Sequence, residues 1–366
     1  MDTTRRGLLI GGAALAPAVA PAMAAARTVD PAPAAPIRAH LGVTENPYGP
    51  SPAARAAAAK ALDQTPYYAW SLEPPLVEAI ARQEGVSPDS VGLCNGSLEA
   101  LSLLSTLFGK AGPIVAPQPT YATPLLYAGR QGASLSWVPV TGDHQMDLPA
   151  LLQKASGAGC VYVCNPNNPT GLLADPAALR AFCIEASKVA PVIVDEAYIE
   201  ISPDPVRHSM IDLARAGHDV IVARTFSKVY GMAGLRVGFI IARPERVKQL
   251  KSLIPTHKGR PGLAAALACY GDATYLSGTK AYLEGCREKI YAICKANGLT
   301  CLPSYGTYVF VDTGRPNLAF QKTLAAMGVE VRVFDSPAHP TWIRVGTASP
   351  AELDIFAEVL PRALKA

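Results

Sequence analysis

Residues 220–236 read VIVARTFSKVYGMAGLR. The opening run, Val220-Ile221-Val222-Ala223, is short, apolar and largely β-branched, the composition of a strand buried on both faces of a parallel sheet. It stops at Arg224-Thr225, and Phe226-Ser227-Lys228 sets a lysine just past its apolar end. In an open α/β sheet, ligands bind in the crevice beyond the carboxyl ends of the strands. A lysine there is partly desolvated, which lowers its pKa and frees its amine to attack a carbonyl carbon. Ser-Lys alone fits a solvated surface loop equally well, so the rest of the chain has to choose. Arg236 follows in the glycine-flanked segment Gly231-Met232-Ala233-Gly234-Leu235, where backbone can approach an anion closely.

The same pattern repeats outward from this stretch. Ile114-Val115-Ala116 is a buried strand followed by Pro117-Gln118-Pro119-Thr120-Tyr121, and CVYVC at 160–164 runs into NPNNPTG at 165–171. PVIV at 191–194 ends in Asp195-Glu196-Ala197-Tyr198, and RVGFIIA at 236–242 is one more strand. At 93–99, LCNGSLE leads into the helical pattern LSLLSTLF; glycine and serine at a helix mouth leave free N–H groups that suit an anion, or a plain serine cap. Strands alternating with helical segments predict an α/β fold with a mostly parallel sheet and right-handed crossovers. Polar residues recurring at the carboxyl ends of separate strands point to one shared site.

The flanks differ. Residues 52–62 and 75–84 read as helices, with Tyr67, Tyr68 and Trp70 on the loop between them. From 255 to 262 the chain is rich in breakers, and 263–297 is helical with interruptions expected near Gly271 and Ser277. Strands at 307–312, 329–333 and 342–345 and a helix at 351–364 describe a smaller α+β domain. The expected division is a leader and linker at 1–35, an N-terminal arm at 36–63 joining the small domain, a large domain at 64–254 and the small domain at 255–366.

A chain of 366 residues holds one large core or two unequal domains, and a net charge of +4 gives no reason to expect a nucleic-acid partner. Arg5-Arg6, an apolar stretch at 8–20 and Ala22-Met23-Ala24 look like a twin-arginine-type signal; the alternative is a disordered basic tail. The stretch is too short, and too rich in Ala, Gly and Pro, for a permanent membrane span. The expectation is a periplasmic or exported protein with no membrane attachment after signal removal, and a cytoplasmic one if the leader does not function. The eight cysteines show no CxxC and no zinc-like spacing, so they are expected mostly as buried free thiols and no metal site is expected.

Asp195 closes a buried strand, and a buried carboxylate without a cationic partner costs several kcal/mol. A protonated pyridine nitrogen is one partner that satisfies it, and such an Asp makes pyridoxal phosphate an electron sink. A helix cap or a structural salt bridge would also account for a lone DExY.

In order, the chain carries TENPYGPSP, NGSLEA, PTY, NPNNPTG, VIVDEAYIE, RTFSKVYGMAGLRVGF and WIRVGT. From about His40 to the C-terminus it thereby resembles the fold-type-I pyridoxal-phosphate aminotransferases, and among them histidinol-phosphate aminotransferase. The resemblance implies the aspartate-aminotransferase-like fold and amino transfer from histidinol phosphate or an amino acid to a 2-oxo acid. Lys228 would carry the cofactor as an internal aldimine, pass through a pyridoxamine form and shuttle the proton at Cα. Asp195 would hold the ring nitrogen, and Asn168 and Tyr198 the phenolic oxygen, with Tyr121 stacked on the ring. Ser97, the Leu98 backbone, Ser227 and Arg236 would grip the phosphate. Tyr68, or Tyr67 one position away, would reach the phosphate of a second subunit, implying a homodimer with shared sites. Arg344 would bind the substrate's anionic group, with Arg332 as a second anion site and Tyr48 as a further substrate contact.

Two departures bear on the substrate. Leu98 stands where the family usually has an acidic residue, and HKGRPG at 257–262 replaces a loop that typically reads RxPYN or RPPFN. An exported enzyme also sits oddly with cytoplasmic histidine synthesis, which favours a paralogue using an amino acid or amine. The related reaction is decarboxylation of a phosphorylated amino acid, as in threonine-phosphate decarboxylase. A non-catalytic cofactor-binding protein fits poorly with Lys228 and Asp195 both in place.

Overall fold

The computed structural model describes residues 36–366 apart from Asp335. The expected leader at 1–35 lies outside the described residues. Among those described, no helix is long and apolar enough to cross a membrane.

Seven strands form the main sheet, β2 (Val91–Cys94), β3 (Ile114–Gln118), β4 (Leu135–Pro139), β5 (Cys160–Cys164), β6 (Val192–Asp195), β7 (Val220–Thr225) and β8 (Gly238–Ile241), in the order β2-β8-β7-β6-β5-β3-β4. All pairs are parallel except those of β8, which runs against both β2 and β7. β8 follows β7 after only twelve residues, too short for the helical crossover a parallel return requires. It is also shorter than the 236–242 run, because Arg236 adopts a left-handed backbone and ends the preceding turn.

The sheet is covered on both faces, which explains the near-continuous apolar strands. Along β5, Val161 and Val163 enter one core while Cys160, Tyr162 and Cys164 enter the other. Val192, Val194, Val220 and Val222 share the first core, and Ile193, Ile221 and Ala223 the second. Seven of the eight cysteines are buried and all eight are free thiols.

A second sheet joins β9 (Thr300–Cys301), β10 (Tyr308–Asp312) and β12 (Trp342–Gly346) in antiparallel fashion, while β1 (Ala39–His40) pairs with β11 (Val329–Glu330). Ala39 and Leu41 sit in its separate core with Val309, Ile343 and Phe356. The packing differs from the expected division in one region. Leu263, Ala266 and Tyr275 belong to the main-sheet core, and the helix Ala273–Ala296 runs from it into the small core, which receives Cys286, Ile290 and Cys294. No break occurs at Ser277; the chain turns only at Gly271, whose φ is +82°. Ala54 likewise packs in the main-sheet core, so the arm serves both lobes.

Candidate active site

Asp195 is the last residue of β6 and 2% exposed. Its side chain shares the face of Ile193, and on the neighbouring strand Tyr162 and Cys164 share that face too. Tyr162 is long enough to reach forward by one pair, and its hydroxyl donates to Asp195 Oδ2 at 3.1 Å; the Ala197 N–H donates to Oδ1 at 3.2 Å. Neither donor carries a charge, so burial raises the Asp195 pKa from 3.8 to about 6. Alternation sends Glu196 to the opposite face, where it meets Arg224 at 3.0 Å and accepts from Ser209 and the Met210 N–H. The structural salt bridge therefore belongs to Glu196, leaving Asp195 for a ligand.

Lys228 lies three residues past β7 and is half-buried. Its Nζ donates to the Thr44 carbonyl at 2.8 Å and to Thr44 Oγ1 at 2.7 Å, and lies 5.6 Å from the centre of the Tyr198 ring. Desolvation, with the nearby Arg344 charge, lowers its pKa to about 8. The N-terminal arm fixes this loop: Asn46 Nδ2 donates to the carbonyls of both Lys228 and Val229. Gly231 permits the contact, since at φ +65° its Cα faces the backbone of Gly49, which a side chain would strike.

The anion pocket is built at the start of the helix Ser97–Phe108. Gly96 takes φ +78°, and a Cβ there would run into Arg236 Nη2. Arg236 Nη1 donates to Ser227 Oγ at 3.4 Å and Nη2 to the Asn95 carbonyl at 3.3 Å. Helix N–H groups, a guanidinium and serine hydroxyls thus converge. Ser97, Leu98, Tyr121, Asp195, Tyr198, Ser227, Lys228 and Arg236 together line one cavity of about 240 Å³. A cationic ring nitrogen would relieve Asp195, and a phosphate would satisfy the helix start, so the residues present fit pyridoxal phosphate.

A neighbouring cavity of about 680 Å³ shares Thr44, Tyr121 and Lys228 with the first and adds Asn168, Arg332 and Arg344. Arg344, on β12, is 6% exposed; its Nη1 donates to Asn168 Oδ1 at 2.9 Å and its Nη2 to the Gly42 carbonyl at 2.8 Å, while Nε has no partner. Its guanidinium lies 5.3 Å from the ring centres of Tyr308 and Phe334. Arg332 is exposed and joined to Arg344 through paired backbone hydrogen bonds. Val43, Leu126, Trp137 and Phe334 supply an apolar wall.

Three expected residues lie outside these cavities. Tyr48 is 47% exposed and leans on Tyr275 and Tyr282 with ring centres 5.9 and 5.3 Å away, a correction to its expected substrate contact within this chain. Pro47 and Gly49 turn it outward from the arm. Tyr67 and Tyr68 are 66% and 68% exposed, and Tyr68 stacks on Trp70 at 5.4 Å. The 257–262 loop is taken up here as well: His257 accepts from Trp70 Nε1, Lys258 pairs with Glu73, and Arg260 donates to the Tyr67 and Tyr68 carbonyls. Sequence reasoning missed Thr44 and Tyr162. Thr44 stood inside TENPYGPSP, and Tyr162 was the one polar group in CVYVC on the face of Asp195.

The family model for aminotransferase class I and II matches residues 38–360. The histidinol-phosphate aminotransferase of Symbiobacterium thermophilum is 36% identical over 327 residues, spanning 88% of this chain and 90% of that one. The aromatic amino acid aminotransferase of Mycolicibacterium vanbaalenii is 32% identical, spanning 86% and 90% respectively. The crystal structure of histidinol-phosphate aminotransferase from Sinorhizobium meliloti in complex with pyridoxal-5'-phosphate superposes with a TM-score of 0.83 at 31% identity, covering 90% of this chain and 91% of that one. The sequence motifs, the fold and the cavity agree with these matches: the chain belongs to the class I and II aminotransferases and is a pyridoxal-phosphate-dependent enzyme.

Proposed function

We propose that this aminotransferase draws its amino group from a free amino acid, passes it to a 2-oxo acid, and works as an exported homodimer. The observation that carries the reading is Arg344, a buried guanidinium with an unpartnered Nε in the cavity that also holds Lys228. A planar fork in that position suits the donor's carboxylate. What supports a carboxylate over a phosphomethyl group is the 257–262 loop, whose cationic side chains are engaged on residues 67–73.

When bound, pyridoxal phosphate supplies a carbonyl to accept the amino group and a ring to delocalise the electron pair left at Cα. Lys228 Nζ would hold that carbonyl carbon and, once released, move the proton at Cα. A pKa near 8 keeps part of the amine neutral at physiological pH, as proton abstraction requires. Thr44 orients Nζ, and Asp195 would hold the ring nitrogen's proton. Ser97, the Leu98 N–H, Ser227 and Arg236 would bind the phosphate, Asn168 and Tyr198 the phenolic oxygen, and Tyr121 the ring face. Arg344 bonds Asn168, so the donor's anchor and the ring's anchor are one rigid unit. Tyr68, exposed and outside its own cavity, would reach the site of a second copy.

The test incubates the protein, purified without its leader and loaded with cofactor, with pyruvate or 2-oxoglutarate and one nitrogen-15-labelled donor at a time: L-phenylalanine, L-glutamate or L-histidinol phosphate. Transfer of label from an amino acid to the acceptor supports the reading. Transfer from histidinol phosphate alone overturns the choice of donor, and release of carbon dioxide without an acceptor overturns amino transfer.

A further inference from the structure

Two imidazoles meet behind the arginine wall. His339, in the loop leading to β12, is 1% exposed. Its Nε2 lies 2.9 Å from His144 Nδ1 and its Nδ1 lies 3.0 Å from Ser336 Oγ. His144 belongs to the turn that follows β4 of the main sheet and holds a left-handed backbone, φ +65°, an uncommon state for a residue with a side chain. The turn keeps it there: the His144 N–H donates to the Thr141 carbonyl, and the Thr141 N–H to the Gln145 carbonyl. Its ring also packs on Trp342, 5.0 Å between centres.

The contact bears directly on the substrate cavity. The Ser336 N–H donates to the Phe334 carbonyl, and the Phe334 ring lies beneath the Arg344 guanidinium and lines the cavity. Arg332 opens this loop and Arg344 follows it, joined by their backbone bridge. The imidazole pair therefore ties the segment holding both arginines to the sheet that carries Lys228.

The pair holds one proton between its facing nitrogens, in either tautomer arrangement. One added proton on the half-buried His144 keeps the bond, with its Nδ1–H donating to His339 Nε2. A second, on His339, sets two N–H groups against each other and breaks it. The titratable groups facing His339 are His144 and Asp312, with exposed Asp143 beside His144; Asp335 lies outside the described residues. Burial and His144 outweigh Asp312 and lower the His339 pKa to about 4.

We propose that His144 and His339 are positioning residues that hold the Arg332–Arg344 wall at the working distance from Lys228, and that double protonation of the pair releases it. The proposal rests on the reading of Arg344 as the donor's anchor. The test uses holoenzyme with L-phenylalanine and 2-oxoglutarate from pH 8 towards pH 4. His144→Gly removes the ring while relieving the left-handed backbone, so it leaves folding intact. Its KM for the donor should rise about 2- to 10-fold at pH 7.5, the worth of one neutral hydrogen bond, with kcat within about 2-fold. The ratio of variant to parent KM should fall towards one as the pH approaches 4. His144→Asn, tolerated in the same backbone region and offering Oδ1 where Nδ1 lies, should restore KM at pH 7.5 and not titrate. Trp342 emission should follow the same acid transition in the parent and lose it in His144→Gly. Arg344→Ala, run alongside, separates the two readings. If it raises KM and His144→Gly does not, or if the variant ratio is flat with pH, the positioning role is overturned alone. If neither variant moves KM, the donor anchor falls and the positioning role with it.

Discussion

Asp195→Asn should stabilise the cofactor-free protein while crippling the enzyme. Burial raises the Asp195 pKa from 3.8 to about 6, so the folded apoprotein binds a proton more tightly than the unfolded chain does. Stability is then lost as pH rises from about 4 to about 6, and the loss is complete above that window. At 1.36 kcal/mol per pKa unit, the difference of about 2.2 amounts to about 3 kcal/mol. Asparagine has the same shape and no charge, and its Oδ1 can still accept from the Ala197 N–H. Urea unfolding of both apoproteins should show equal stability near pH 4 and an advantage of about 3 kcal/mol for the variant at pH 8. With cofactor present the order should reverse, because only the carboxylate pairs with a protonated ring nitrogen. An apoprotein variant less stable than its parent at pH 8 would refute the argument, since it would mean that Asp195 already has a charge partner in the fold.

Other perturbations probe other parts of the site. Arg344→Ala should raise the KM for anionic donors about 10- to 100-fold, the loss of a charge-assisted pair, with cofactor affinity changed less than about 3-fold; steady-state kinetics and cofactor titration measure the two. Gly96→Ala combines a positive φ with a clash against Arg236, so cofactor affinity should weaken by about 10-fold or more while the turn accommodates it, read by equilibrium titration at fixed phosphate. Tyr68→Ala should weaken cofactor binding in a dimeric enzyme although Tyr68 lies outside its own cavity; unchanged affinity alongside a monomeric mass in sedimentation would remove the shared-site proposal.

The site was legible because it stands where strands stop. β5, β6 and β7 are apolar on both faces, so each announces its own end, and Asn168, Asp195 and Lys228 follow those ends in the chain. What escaped the reading depends on distant partners. Nothing near Thr44 says that it meets Lys228, since the contact requires the arm to fold across 184 residues of chain. The reversal of β8 lay in the length of a connection rather than in its composition. The helix Ala273–Ala296 carries apolar residues for two different cores, which a single amphipathic pattern cannot assign in advance. Tyr48 sits in a motif whose other members, Thr44 and Asn46, grip the Lys228 loop, yet two breakers turn its ring outward.

The central claim is that Lys228 is the amine that carries the cofactor. Reducing the cofactor-loaded protein with sodium borohydride, digesting it and mapping the peptides by mass spectrometry tests this in one step. The account predicts a pyridoxyl-phosphate mass increment on Lys228 and its absence from Lys228→Ala. An increment on another lysine, or one that survives the substitution, would contradict it.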